Sequence, residues 1–248
     1  MKLSIVIPAY NEEKYLGDCL EAITRDLNSL ILGGQRAVEI VVVNNASQDR
    51  TGEVARSFAN VKVVDEPQKG LVFARKAGYE ASSGDLVANI DADTRMPVGW
   101  LSQVFETFES NGKLVALSGP YNYYDLSNWT NFWVLFFYLP GFATHLVLGP
   151  LGKGGMVQGG NYVIKRQTLE QMGGFDTSIK FYGEDTDIAR RASQLGKVKF
   201  DFGLFMYTSG RRLAQEGVIT MAIKYSINFF WTLVTARPFS KDYVEIEK

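Results

Sequence analysis

The chain has 248 residues, 46% of them hydrophobic, enough to bury the core of one large domain or two small ones. Its formal net charge of -1 excludes a general electrostatic case for nucleic-acid binding, which needs a basic face. A single cysteine, Cys19, excludes an internal disulfide and, on the apolar side of a predicted helix, suits a reducing compartment.

The chain enters a strand at Leu3 with no charged n-region, apolar h-region or cleavage site, so no signal peptide is expected and a cytoplasmic location is. Lys2 to Pro8 reads as a strand, and Pro8-Ala9-Tyr10-Asn11-Glu12-Glu13 turns it into a helix. There Leu16, Leu20, Ile23, Leu27 and Leu30 recur at spacings of four and three. Gly33-Gly34 ends that helix. Glu39 to Val43 is a continuous apolar strand of the kind covered on both faces. Asn44 to Thr51 is turn and cap chemistry before a helix carrying Val54 and Phe58. Val61 to Val64 predicts a third strand, and Gly70 opens a helix with small residues Ala74, Ala77, Gly78 and Ala81. Leu86 to Ile90 is a buried strand that ends in Asp91-Ala92-Asp93.

This βαβαβαβ order predicts a single α/β unit with a parallel sheet and right-handed crossovers. Ligands of such sheets bind beyond the carboxyl ends of the strands. Three polar turns, Pro8 to Glu12, Asn44 to Asp49 and Asp91 to Asp93, should therefore line one crevice. Side chains alternate along an extended chain, so Asp91 and Asp93 are expected to point the same way and share one divalent cation.

Trp100 to Phe108 predicts a further helix and Leu114 to Leu117 a strand. The stretch 126–152 then contains no charged residue. Pro140-Gly141 and Gly149-Pro150 are expected to divide it into pieces too short for a bilayer of about 30 Å. Burial inside the fold and a membrane-facing or lipid-binding hairpin over 129–151 both stay open. His145, the only histidine, is expected to be neutral and satisfied within this apolar stretch. Gly159 to Ile164 resumes strand chemistry, Thr168 to Met172 is a short helix, and Gly173-Gly174-Phe175-Asp176 is a loop. Glu184, Asp185 and Asp187 crowd the start of the next helix, more acids than capping needs. Lys197 to Phe200 and Leu204 to Tyr207 read as strands, followed by Arg211-Arg212. The tail is apolar on more than one side over 218–234, with Lys224, Arg237 and Lys241 around it. A membrane-interface helix, docking onto the core and a homo-oligomer contact each account for that pattern.

In this order the chain resembles the inverting glycosyltransferases of family 2 with the GT-A fold. The matching residues are Pro8-Ala9-Tyr10-Asn11-Glu12, Val42 to Ser47 with Asp49 and Thr51, Gly70 with Ala74-Arg75 and Gly78, Asp91-Ala92-Asp93, Gly173 to Asp176, and Glu184-Asp185 with Arg190. The resemblance covers about residues 3 to 212. It implies a Rossmann-like, mostly parallel sheet flanked by helices, with an apolar insertion and a C-terminal helix. The halves would be about 1–97 for the nucleotide-sugar and about 98–212 for the acceptor, followed by a tail over 213–248.

The activity implied is metal-dependent transfer of a sugar from a nucleoside-diphosphate donor to a glycan or lipid-linked acceptor. Pro8, Ala9, Tyr10, Glu12, Asn45 and Arg75 would bind the donor, and Asp91 and Asp93 the donor together with Mg²⁺ or Mn²⁺. Asp185 would be the general base, with Glu184 its neighbour and alternative. A lipid phosphate acceptor would need no base, and Arg211 and Arg212 could grip it. Amides at Asn44 and Asn45, where relatives often carry acids, favour uracil or thymine and hence UDP or dTDP. No histidine occurs near Tyr207-Thr208-Ser209, which predicts weak, diphosphate-dependent metal binding. A sugar-phosphate nucleotidyltransferase is the rival enzyme class, but its glycine-rich first turn has no counterpart in Pro8 to Glu13.

Overall fold

A computed structural model describes residues 1–32 and 36–240; the expected helix end at Gly33-Gly34 and Lys241 lie outside the described residues. The first half alternates β1 (Lys2–Ala9), α1 (Leu16–Leu32), β2 (Ala37–Asn45), α2 (Thr51–Arg56), β3 (Val61–Glu66), α3 (Leu71–Ala81) and β4 (Leu86–Ile90). β5 (Thr94–Arg95), α4 (Trp100–Ser110), β6 (Leu114–Ser118), β7 (Tyr121–Tyr123) and α5 (Asn128–Leu148) follow. The chain is completed by β8 (Asn161–Lys165), α6 (Arg166–Gln171), α7 (Glu184–Ser193), β9 (Lys197–Phe200), β10 (Met206–Thr208), α8 (Arg211–Glu216) and α9 (Val218–Thr235).

Seven strands form one sheet in the order β3-β2-β1-β4-β8-β6-β9. The pairs β1 to β2, β2 to β3, β1 to β4 and β6 to β9 are parallel, and β8 runs antiparallel to both its neighbours. The sheet is mostly parallel because each early strand returns through a helix. Alternation along the strands feeds two cores. Leu3, Ile5 and Ile7 of β1 pack with α1 and α4, whereas Val6 lies with Val41, Val43 and Val87 under α3 and α7. Gly78 of α3 lets the helix touch the sheet, since any Cβ there would run into Val6 and Val43.

A second sheet, β5-β10-β7, stands across the carboxyl edge of the first. Strands of two or three residues carry no periodicity, so β5 and β7 are invisible in the sequence. The apolar insertion also differs from expectation. Instead of breaking at Pro140-Gly141, α5 runs unbroken through Pro140 and ends at Gly149, where a 3₁₀ turn over Gly149–Leu151 follows. Proline removes one helical N–H, and the turns on either side carry the helix past it. Ser127 caps the start by accepting from the Thr130 N–H at 3.0 Å.

Both 128–151 and 218–235 are long and apolar enough to cross a bilayer by length and composition. Their inner residues, including Val134, Tyr138 and Met221, join Met156, Tyr182, Phe200 and Leu213 in a third small core. Their outer faces expose Trp129, Phe132, Trp133, Phe136 and Phe137 on α5 and Ile219, Ile223, Phe230, Trp231 and Val234 on α9.

Candidate active site

The ends of β1 and β2 lie in register, Pro8 beside Val43 and Ala9 beside Asn44, and the turns that follow are fastened together. Asn11 adopts a positive φ of 51°, which asparagine tolerates. Its side chain accepts from the Gln48 N–H at 2.8 Å while its own N–H donates to Ser47 Oγ at 3.1 Å. The Glu12 N–H donates to Thr51 Oγ1 and the Glu13 N–H to Asp49. The two turns thus form one platform.

Asn45 supports that platform from the cleft wall. Its amide donates to the carbonyls of Glu66 and Gln68 at 3.1 and 2.7 Å and accepts from the Gly70 N–H at 2.8 Å. The Asn44 amide donates to Asp65. Backbone carbonyls and a carboxylate thus take the amide donors of this pair, on which the expected preference for UDP or dTDP drew, while Asn45 still borders the cleft.

Asp91 and Asp93 follow the fully buried β4, but they do not continue the strand. The Thr94 N–H bonds back to the Asp91 carbonyl at 3.2 Å, so 91–94 is a turn, in which strand alternation does not set the side-chain directions. Both acids line the cleft, each with its own cation. Asp91 accepts from the Tyr121 hydroxyl at 2.8 Å and from Arg75 at 3.4 Å. Asp93 is paired with Arg211 at 2.9 Å, and Arg211 also reaches Glu12 at 2.6 Å. Burial pushes the Asp93 carboxyl up to about 7; Arg211 opposes the rise, and the like charges of Glu12 and Asp91 add to it.

The three acids of α7 have separate roles. Asp187 is structural, bonded to Arg190 and Arg191 within its own helix. Glu184 turns inward to a buried ion pair with Arg75, and burial pushes its carboxyl up to about 7 against the pull of that guanidinium. Arg75 is 1% exposed and also donates to the Gly159 carbonyl at 2.8 Å. It joins Asp91 to the start of α7 from the cleft wall, with its guanidinium engaged by Glu184, Asp91 and the Gly159 carbonyl. Asp185 is half-buried; one of its oxygens accepts from the Thr186 N–H at 2.7 Å, and burial raises its pKa. Among the described residues, Glu184 of the adjacent pair has an ion-pair partner and Asp185 has none.

Arg212 lies over the Phe181 ring and pairs with Glu216 at 3.1 Å. Arg211, expected beside it at an acceptor phosphate, is paired with Asp93 and Glu12. His145 stands outside the cleft. Burial and Lys197 lower its pKa, as a neutral imidazole requires, but among the described residues its Nδ1 has no hydrogen-bond partner, contrary to the expected satisfaction.

The cleft encloses about 690 Å³, and Pro8, Ala9, Tyr10, Glu12, Asn45, Arg75, Asp91, Asp93, Glu184, Asp185, Arg211 and Arg212 all border it. Sequence reasoning missed Tyr121, Gln158, Gly160 and Tyr225, which also line it. The Gly159-Gly160 doublet was the usable signal: a Cβ at Gly160 would overlap the Asp91 carboxylate and the Tyr121 hydroxyl. Among the described residues no three acidic, histidine or cysteine side chains form a metal cage. Asp91 and Asp93 nonetheless fit a hard divalent cation that takes its remaining ligands from a diphosphate and water.

The model of the family described as "Glycosyl transferase family 2" matches residues 4–173. Glycosyltransferase AglE of Haloferax volcanii is 34% identical over 115 residues, 44% of this chain and 36% of that protein. A glucosyl-dolichyl phosphate glucuronosyltransferase of the same organism is 24% identical over 198 residues, 74% of this chain and 59% of that one. The chain thus spans about a third to three fifths of these relatives' length. Among solved structures, a mannosyltransferase from Pyrobaculum calidifontis in complex with GDP-Man and Mn²⁺ superimposes with a TM-score of 0.66 at 18% identity, covering 94% of this chain and 64% of that one. At that identity the likeness speaks for the fold, which is GT-A.

Proposed function

Because the chain belongs to glycosyl transferase family 2, we propose that it moves a sugar from a nucleoside-diphosphate donor to a lipid-linked acceptor at a membrane surface. One observation carries this reading: the turns after β1, β2 and β4 and the first turn of α7 face a single cleft. Donor and acceptor can therefore meet between Asp93 and Asp185.

In this reading Pro8 to Tyr10 and the Asn45-supported loop at Lys69-Gly70 hold the nucleoside. Asp91 and Asp93 hold Mg²⁺ or Mn²⁺, whose chemistry when bound is to neutralise charge on the departing diphosphate. Asp185 takes the proton of an acceptor hydroxyl as its oxygen bonds to the anomeric carbon and the bond to the diphosphate breaks, inverting that centre. Glu184, locked to Arg75, positions α7. The acceptor half, about 98–212, begins at the same edge, and the tail brings it to the lipid. A membrane-bound acceptor is supported by the exposed apolar faces of α5 and α9. No acid occurs between Asp125 and Glu170 or between Glu216 and Asp242, while Lys153, Lys224 and Arg237 do occur there, as suits an anionic lipid surface.

The test is release of nucleoside diphosphate from UDP-, dTDP- and GDP-sugars with Mn²⁺, with and without vesicles carrying a polyprenyl-linked sugar that offers a free hydroxyl. Release should require Mn²⁺ and vanish in Asp93→Ala. Unchanged release from that variant contradicts the assignment.

A further inference from the structure

The acids at the end of β1 and of β4 share a cation that the chain itself supplies. Arg211 Nη2 lies 2.9 Å from Asp93 and 2.6 Å from Glu12, and the guanidinium sits 4.6 Å from the centroid of the Tyr15 ring. The three charged side chains are only 9 to 16% exposed, so two carboxylates this close need a compensating charge. Yet the fork is half used: Arg211 Nη1 is buried and has no hydrogen-bond partner among the described residues. Arg211 borders the cleft, so a turn of its side chain off the acids would bring this idle donor to a phosphate oxygen. The backbone that carries it is pinned, because Asp125 accepts from the Ser209 hydroxyl at 2.6 Å and the Gly210 N–H at 2.5 Å. Any change of partner therefore belongs to the side chain.

We propose that Arg211 is the resident counter-cation of the metal acids: it competes with a divalent cation for Asp93 and, once displaced, binds the diphosphate that arrives with that cation. The proposal rests on the reading of Asp93 as a metal ligand. It makes metal and nucleoside diphosphate bind cooperatively, since the cation alone must displace an ion pair and the diphosphate rewards the displacement. It also predicts effects of opposite sign from one substitution, which neither a purely structural arginine nor a purely phosphate-binding one would give.

The experiment is Mn²⁺ titration followed by electron paramagnetic resonance, without nucleotide and with UDP or GDP, on the parent, Arg211→Gln, Arg211→Lys and Asp93→Asn. Arg211→Gln should bind Mn²⁺ alone about tenfold more tightly than the parent and the nucleoside diphosphate about tenfold more weakly, the size of one charge-assisted contact. Arg211→Lys keeps the competing charge without the fork, so its affinity for Mn²⁺ alone should stay near the parent's while diphosphate affinity falls. Unchanged or weaker binding of Mn²⁺ alone by Arg211→Gln overturns the proposal. Should that variant fail to fold, full diphosphate affinity in Arg211→Lys overturns it instead. Loss of Mn²⁺ in Asp93→Asn with no effect at Arg211 removes the counter-cation role only, whereas Mn²⁺ binding unaffected in Asp93→Asn removes the metal reading beneath it.

Discussion

Glu184 and Asp185 are adjacent carboxylates in opposite circumstances, one locked to a buried arginine and the other facing the cleft with an oxygen to spare. Removing one partner of a buried pair leaves a charge uncompensated, at a cost of about 3–5 kcal/mol. Glu184→Ala should therefore lower the melting temperature sharply. Asp185→Asn keeps the bond from the Thr186 N–H, so it should melt with the parent while losing about 10²–10⁴-fold in transfer rate, the range for a general base. Because burial raises the Asp185 pKa, transfer in the parent should fall as pH drops through a midpoint above the ordinary carboxylate range. A parent-like rate in Asp185→Asn would instead point to an acceptor that is already an anion. The acids themselves were readable from the sequence, since three in four positions exceed capping. Which of them is left without an ion pair was not, because the lock on Glu184 comes from Arg75, 109 positions away. Asn45 is the converse case: an amide beside a strand end reads as a ligand contact, and only the course of the β3 to α3 loop shows its donors already taken.

Among the elements, β2 is joined to the start of β1 and of β4 through one carboxylate. Glu39 accepts from the Ser4 hydroxyl at 2.5 Å, the Ser83 N–H at 2.6 Å and Lys2 at 2.9 Å. Burial raises its pKa, but these bonds outweigh burial and bring it from 4.5 down to about 2. A depressed carboxylate stabilises the fold above its unfolded pKa, and that contribution is lost as pH falls from about 4.5 to about 2. Glu39→Gln should thus melt below the parent at pH 7, with the difference closing as pH approaches 2; a constant difference would refute the linkage. The helices and strands of the first half were legible because period and length agree in each. α5 was misread at Pro140, since a proline breaks a helix only where neighbouring turns cannot carry it. Its inner side also reaches the site, as the Tyr138 hydroxyl accepts from the Tyr121 N–H and donates to Gln158, both at 3.1 Å. Cross-sheet links of that kind leave no trace in local pattern.

For the whole molecule, the GT-A fold sets a cleft bordered by charged side chains beside two helices whose outer faces are apolar and free of acids. Vesicle flotation should recover the protein with anionic lipid and less with zwitterionic lipid, and Trp129→Ser with Trp133→Ser should reduce recovery. Failure to float with either lipid would remove the membrane from the account. The central claim, a nucleoside-diphosphate sugar held at Asp93 with a metal, is tested most directly by a thermal-shift panel of UDP-, dTDP- and GDP-sugars with and without Mn²⁺. A specific ligand at 100 times its Kd stabilises the native state by about 2.7 kcal/mol, so at least one donor should raise the melting temperature by several degrees in the presence of Mn²⁺, and Asp93→Asn should abolish the rise. No shift with any donor, or the same shift in Asp93→Asn, would contradict it.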